Sequence, residues 1–430
     1  MKKSVLLVSY HFAPQNAIGA VRPTKLAKYL TRAGYEVTVL CGDPAGALRD
    51  PLLAADLREL PDVHPLRERS LLRLWKRRGQ RAPAPAAKPT QPSAGAPGRK
   101  RPLRNALYLW LFQRADAAFA RACARALRGM GRRFDVVISS YGPQSAHTVA
   151  DWAKRKGFAR RWIADFRDEV SVPFFWQRGR LRRNLRRVRD HADAVTAVSA
   201  GCLRVMGLEA AGTVIYNGFD AEDVSGLAFP PKRGDRMVFV HCGQMYGAKR
   251  DLSPFFTALA ELAAEGAVDV KRVELAYAGR DTGGFVSQAQ AAGLGGCLRG
   301  YGFLPRDEAL KLQKSAHVLL LAAWNERDRQ GNVPGKLLEY LMLSMPVLCC
   351  VSGDVPDSEA AGILRRTNAG FCYEQANAEA DYPAMKEYIR AQYERFITGE
   401  PLRFAPDADA VAAFGSRGMA GAFARIVENP

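Results

Sequence analysis

The segment Gly331–Pro346, GNVPGKLLEYLMLSMP, runs from a Gly/Pro loop into a helix opening near Pro334. A loop of this kind followed by a helix N-terminus suits a diphosphate, because unpaired N–H groups and the helix dipole both favour anions. Val333, Pro334 and Gly335 would supply backbone, and Lys336 positive charge beside the phosphates. Glu339 lies about one turn further on, where a carboxylate can accept two hydrogen bonds from a ribose. An ordinary helix with a solvated Lys and Glu has the same local sequence. Lys249 and Arg250, downstream of Gly243, are a second cationic feature. Fixed cations there would stabilise the charge that develops on a departing diphosphate; the alternative is a solvated basic pair ahead of Asp251.

Several residues in the first half sit where open α/β sheets collect reactive groups, at strand C-termini. Asp165, Arg167 and Asp168 end one predicted strand, and they read either as part of a ligand cleft or as a salt-bridge network. His11 closes the first strand and Tyr141 and Gly142 the third. His11 and Asp168 are therefore the candidate reacting groups, without an assigned nucleophile or base. Gly19 either lets backbone approach a ligand closely or serves a turn before a helix. His147, on the helix after Tyr141, reads as a packing or surface histidine.

The elements needed to hold these residues alternate along the chain. Ser4–Tyr10 is a continuous apolar run of the kind found in buried parallel strands. Helical spacing over Val21–Arg32 and a strand at Val37–Leu40 complete a βαβ unit. Further strands are predicted at Asp135–Ser140, Arg161–Phe166, Ala194–Ser199 and Thr213–Asn217, and a long basic helix at Leu103–Leu127. A second series begins at Met237, with strands at Met237–His241, Val273–Ala278, Leu298–Gly302, His317–Ala322 and Pro346–Val351. Its helices are Leu252–Ala264, Pro305–Ser315 and Gly335–Leu343, followed by helical stretches near 378–398 and 408–427. The predicted fold class is α/β with two doubly wound domains. Residues 1–220 form the first, with a mobile Pro/Ala/Gly loop at 79–102. A linker follows at 221–236, a second domain at 237–405, and a C-terminal helix within 406–430 expected to pack back on the first domain.

Composition is consistent with this. At 430 residues the chain is too long for one core. With 48% hydrophobic and 25% charged residues it can bury one in each domain. The net charge of +20 favours anionic partners. The excess is concentrated at 66–133 and 152–190, in runs such as Arg67, Arg69, Arg73, Lys76, Arg77, Arg78 and Arg182, Arg183, Arg186, Arg187. None of the eight cysteines forms a CxxC pair, which points to buried thiols in a reducing compartment and against zinc. Lys2 and Lys3 precede an apolar stretch too short for an export signal. No run of about 18 apolar residues suggests a membrane-spanning helix. A cytoplasmic protein, peripheral at the inner face of the cell membrane, is the expectation.

In this frame "PGKLLEYLMLSMPVL" resembles the donor-binding signature of glycosyltransferase family 4, whose members have the GT-B fold. Other segments resemble the family in the same order: "YHFAPQNAIGAVRPTKLAKYLTRAGYEVTVL", "WIADFRDE", "VIYNGFD", "HCGQMYGAKRDLSPFFTAL" and "GFLPRDEALKLQKSAHVLLL". The resemblance implies two Rossmann-like domains facing across a cleft, the first acceptor-side and the second donor-binding. It implies a retaining glycosyltransferase moving a sugar from a nucleotide-diphosphate sugar to a lipid-linked or surface-polysaccharide precursor. The donor contacts would be Gly19, Gly243, Lys249, Arg250, Leu304 near the nucleotide base, and Val333, Pro334, Gly335, Lys336 and Glu339. Neither metal nor cofactor is implied, the leaving phosphate itself helping to deprotonate the acceptor. One departure stands out. The family often carries two glutamates separated by seven residues; Glu339 matches the second, and the first would fall at Gly331.

Two alternatives fit parts of the pattern. An epimerase of the same fold would convert a sugar nucleotide with no acceptor. A nucleic-acid-binding protein would use the basic half, but needs aromatic residues interleaved with the charge, and 66–102 holds only Trp75. Nucleic acid is therefore not an expected partner, whereas an anionic membrane surface is. The apolar residues Leu107, Trp110, Leu111 and Phe112 of the basic helix read either as an interfacial face or as core packing.

Overall fold

The computed structural model describes residues 2–67, 102–168, 178–232, 234–245, 250–280, 283–327 and 330–429, with backbone alone for 102–112, 178 and 180. Residues 79–101 of the expected loop, the basic run at 67–78 except Arg67, and Lys249 lie outside the described residues, while Pro102 opens a helix. The chain divides into two compact units. One comprises Met1–Thr196 with Ile426–Pro430, the other Ala197–Arg425.

The first sheet has seven strands: β1 (Ser4–Ser9), β2 (Glu36–Gly42), β3 (Val63–Leu66), β4 (Phe134–Ser140), β5 (Ala159–Phe166), β6 (Ala194–Ala197) and β7 (Gly212–Val214). Their order is β3-β2-β1-β4-β5-β6-β7. β1 pairs in parallel with both β2 and β4, Val5 lying opposite Val37 and Val136. Val5, Leu6, Leu7 and Val8 are all buried, as a strand covered on both faces requires. The first helix spans Ile18–Arg32, a turn earlier than its apolar spacing suggests. Lys25 and Lys28 on it are buried and both reach Asp56, each at 2.7 Å. Such a pairing is the condition for burying a charge. The basic helix extends over Pro102–Met130.

The second sheet has β8 (Met237–Cys242), β9 (Val273–Ala278), β10 (Leu298–Gly302), β11 (Val318–Trp324), β12 (Val347–Ser352) and β13 (Gly370–Glu374). The order is β10-β9-β8-β11-β12-β13, and all five pairings are parallel. One core packs Phe239, Phe255, Phe256 and Tyr277 together, and another Val240, Leu319, Leu338 and Tyr340. Both sheets are doubly wound, with the order reversing direction at β1/β4 and at β8/β11; ligands of such sheets bind outside the strand C-termini at these points. Two edge strands, β3 and β13, and the helix Glu359–Thr367 extend the sequence prediction. The helical stretch near 408–427 is interrupted, forming Ala408–Ala413 and Ser416–Glu428.

All eight cysteines are free, seven of them buried. Among the described residues no helix is long and apolar enough to cross a membrane.

Candidate functional site

In the second unit Gly243, Arg250, Lys336 and Glu339 lie near one another where the strand order reverses, whereas Leu304 follows the edge strand β10. β8 ends on His241 and Cys242, and Gly243 turns away with a φ of 150°, a conformation that favours glycine. Its carbonyl accepts a hydrogen bond from the Tyr277 hydroxyl at 3.1 Å. Arg250 donates to the Gln244 carbonyl at 2.7 Å, and its guanidinium lies 5.7 Å over the ring of Trp324, the last residue of β11. β8 and β11 are neighbours, so Gly243, Arg250 and Trp324 share one edge of the sheet.

The helix Gly335–Met342 opens on Pro334 with no side-chain cap and no acidic residue in its first turn. Gly335 is exposed. Lys336 and Glu339 form an ion pair at 2.5 Å, one turn apart. His241 lies close to both cations. It is fully buried, its Nδ1 donates to the Leu320 carbonyl at 3.0 Å, and its Nε2 has no hydrogen-bond partner. Burial drives its pKa down to about 4, with Arg250 and Lys336 reinforcing the shift against the Leu320 carbonyl. The ring is thus a neutral acceptor beside two cations. Val333 packs on the neighbouring apolar core, as does Leu304 on the loop after β10. Leu304 also lines a groove with Phe229, Pro230 and Tyr301.

Gly331 stands where the resemblance would place the first of two glutamates. It has a φ of 81°, and a Cβ there would stand 2.5 Å from Ser199 Oγ and 2.8 Å from the Gly201 Cα. The helix Ala200–Met206 therefore occupies the space that a side chain at 331 would need. The N-terminus of that helix is itself filled. The Glu359 carboxylate accepts from the Ala200 and Gly201 amides at 2.7 and 3.3 Å, and from the Tyr216 hydroxyl at 2.5 Å. A carboxylate at a helix N-terminus is favourable on both hydrogen-bonding and dipole grounds. Of these two helix ends, one carries its own anion and the other, at Pro334–Gly335, does not.

In the first unit His11, Tyr141, Gly142, Arg167 and Asp168 follow β1, β4 and β5, three adjacent strands, and so share one edge. His11 is held by Gln15, its Nδ1 3.1 Å from Oε1. Asp168 is exposed. Arg167 donates to the carbonyls of Gly19, Tyr141 and Gly142, and its guanidinium occupies the space a side chain at Gly19 would take. Asp165 is buried and engaged twice over: Arg22 donates to both its oxygens at 2.8 and 3.0 Å, and Thr196 donates to it at 2.8 Å. That network braces the edge and leaves Asp168 as its outward carboxylate.

His147 is fully buried among Tyr141, Trp162 and Phe166, with Nδ1 2.7 Å from Ser139 Oγ. Burial lowers its pKa to about 3, opposed by Asp165. In an unfolded chain histidine titrates near 6.5. Below that pH the unfolded state takes up a proton that folded His147 refuses, so stability falls as pH drops from about 6.5 towards 3. The slope is roughly 1.4 kcal/mol per pH unit for each such group. We expect the melting temperature to fall between pH 7 and pH 5, and less so in His147→Phe. Parallel pH profiles for the two proteins would contradict this account.

The sequence reading did not single out His241 or Trp324. Nor did it single out Arg280, whose guanidinium lies 4.4 Å over the exposed ring of Phe303, beyond the ends of β9 and β10. A charged residue two positions after one strand and an aromatic directly after the next were the available signals.

No family model matches the chain, and no curated protein does. Many solved structures do. The apo form of lipopolysaccharide outer core galactosyltransferase WaaB aligns over 99% of this chain and 100% of its own, with a TM-score of 0.56 and 13% identity. An E. coli trehalose-6-phosphate protein bound with UDP-2-fluoro glucose covers 99% of each chain, with a TM-score of 0.57 and 12% identity. A Listeria monocytogenes protein provisionally described as a UDP-N-acetylglucosamine 2-epimerase covers 98% of this chain and 95% of its own, with a TM-score of 0.50 and 11% identity. The class these observations define is the α/β GT-B fold, with two consecutive doubly wound sheets.

Proposed function

We propose that this protein is a retaining glycosyltransferase that takes a sugar from a nucleotide-diphosphate donor and passes it to a lipid-linked or surface-polysaccharide acceptor. The observation that carries the reading is the uncapped helix end at Pro334–Gly335, placed with Lys336, Glu339 and Arg250 in the unit whose sheet reverses at β8/β11. In this reading the diphosphate rests on the first-turn amides. Glu339 exchanges its contact with Lys336 for the ribose hydroxyls, freeing the ammonium for phosphate. Arg250 and Lys249 stabilise the charge on the leaving diphosphate, which is transition-state stabilisation rather than uniform binding. His241 is the buried acceptor against which a ligand hydroxyl can be placed. The leaving phosphate assists removal of the acceptor proton, so neither a metal nor a protein nucleophile is invoked. The support is threefold: the fold, the order of the family-like segments, and a neighbour of the same fold that holds UDP-2-fluoro glucose. The basic first unit suits a peripheral position at the inner membrane face.

The epimerase in the structural comparison keeps a second reading in play. The two differ in their need for an acceptor. Incubated with a nucleotide sugar alone, a transferase leaves the sugar nucleotide unisomerised, and nucleoside diphosphate accumulates when a saccharide or lipid-linked acceptor is added. Transfer with retention gives a product with the donor's anomeric configuration by NMR. Appearance of a 2-epimer from donor alone would establish the epimerase instead.

A further inference from the structure

The helix Pro102–Met130 carries Arg121, Arg125 and Arg128 at spacings of four and three residues, which puts them on one face. Like charges at these spacings repel. All three are exposed, and among the described residues no carboxylate forms an ion pair with any of them. They line one wall of a groove of about 460 Å³ within the first unit, and the helix Ser145–Arg155 forms the facing wall. Arg155 and Arg187 complete the lining. Asp151 also lines the groove, but it is buried and already neutralised. Arg155 lies 3.1 Å from it, Arg187 3.6 Å, and His191 2.7 Å. The floor includes Trp152, stacked on Phe158 at 5.2 Å, with the Arg128 guanidinium 5.1 Å over its ring.

A concave site with five guanidinium groups and one neutralised carboxylate is built for a multiply charged oxyanion. Arginine's planar fork meets phosphate oxygens two at a time, and stacking on an aromatic ring fixes its orientation without consuming its N–H donors. The residues lie on helices flanking the sheet, apart from the strand ends that carry His11, Tyr141 and Asp168. We infer that this groove is a second anion site, one that binds a phosphomonoester or diphosphate group, supplied either by a soluble anion or by a lipid headgroup. The inference rests on the groove alone and holds whether or not the second unit binds a nucleotide sugar.

The test compares two triple variants of the full chain, both made in an Arg250→Ala background that weakens the diphosphate site proposed for the second unit: Arg121→Ala/Arg125→Ala/Arg128→Ala and the equally charged control Arg58→Ala/Arg133→Ala/Arg160→Ala. The six positions in the two triple variants are exposed, so unchanged melting temperatures confirm folding. Inorganic pyrophosphate is titrated by calorimetry, and phosphatidic acid vesicles, whose headgroup is a phosphomonoester, are used in co-sedimentation with phosphatidylcholine as reference. The groove variant is expected to lose at least tenfold in affinity for one of these probes relative to the Arg250→Ala parent, while the control retains that affinity to within about twofold. A loss confined to pyrophosphate identifies a soluble anion as the source, and a loss confined to vesicles identifies the headgroup. Equal binding by the groove and control variants to both probes overturns the proposal. So does a groove variant that loses short duplex DNA and neither phosphate probe, since the groove would then be a nucleic-acid surface.

Discussion

Arg250→Ala and Glu339→Ala are each expected to weaken nucleoside diphosphate binding by roughly 10- to 100-fold, which corresponds to the 1.5–3 kcal/mol carried by hydrogen bonds to charged groups. The readout is the thermal shift produced by UDP or GDP. A ligand present at about 100 times its Kd stabilises the folded state by roughly 2.7 kcal/mol, and a weaker site forfeits most of that at the same concentration. Arg250 lies over Trp324 at the end of β11. Glu339 is placed by the helix phase that also sets Lys336 against it. The two substitutions should differ in one respect. Arg250→Ala removes charge that opposes the departing diphosphate and should lower kcat more than it raises KM for the donor. Glu339→Ala removes binding common to ground and transition states and should act mainly on KM. A full thermal shift in both variants would remove these residues from the donor site.

Gly331→Glu has the second largest expected effect and the less intuitive sign. On the family pattern this substitution restores a glutamate seven residues before Glu339, and a surface loop would accept it at little cost. Here the added Cβ would approach Ser199 Oγ at 2.5 Å, the Gly201 Cα at 2.8 Å and the Cys202 amide nitrogen at 2.9 Å. Two of these three are backbone atoms and cannot swing aside. A positive φ for a residue other than glycine adds about 1–2 kcal/mol. Together with the clash, a destabilisation of at least about 3 kcal/mol is expected, within the range for strained or overpacked sites. It should be read as a lower melting temperature of the second unit. Gly331→Ala should follow with the same sign. An unchanged melting temperature combined with tighter donor binding would show that the helix Ala200–Met206 yields its place easily.

Much of this architecture is legible in the sequence because buried parallel strands are continuous apolar runs. Val273–Ala278, buried at every position, matches its predicted bounds for that reason, whereas the edge strand Leu298–Gly302 matches although three of its five residues are exposed. The edge strands β3 and β13 escape the same reading. β3 contains a proline and is only partly buried, and β13 is half-buried over three of its five residues, so neither shows the apolar density of a central strand. The loop and helix at Gly331–Met342 could be located from residue types alone. What could not be read was the fit of Gly331 against residues 199–202, a contact set by tertiary packing across some 130 positions of sequence. Arg167 is a similar case. Its hydrogen bond to Gly19 joins residues separated by 148 positions, and no local pattern announces it. His147 was legible as a packing residue only in part, since its enclosure by Trp162 and Phe166 depends on the neighbouring strand.

The central claim is that a nucleoside diphosphate binds at the amino end of the helix Gly335–Met342. A crystal structure with UDP, or with GDP should that give the larger thermal shift, tests it most directly. The account predicts phosphate oxygens within hydrogen-bond distance of the Gly335 and Lys336 amides and of the Arg250 guanidinium, with both ribose hydroxyls on Glu339. A nucleotide held elsewhere, with that helix end left to solvent, would contradict it.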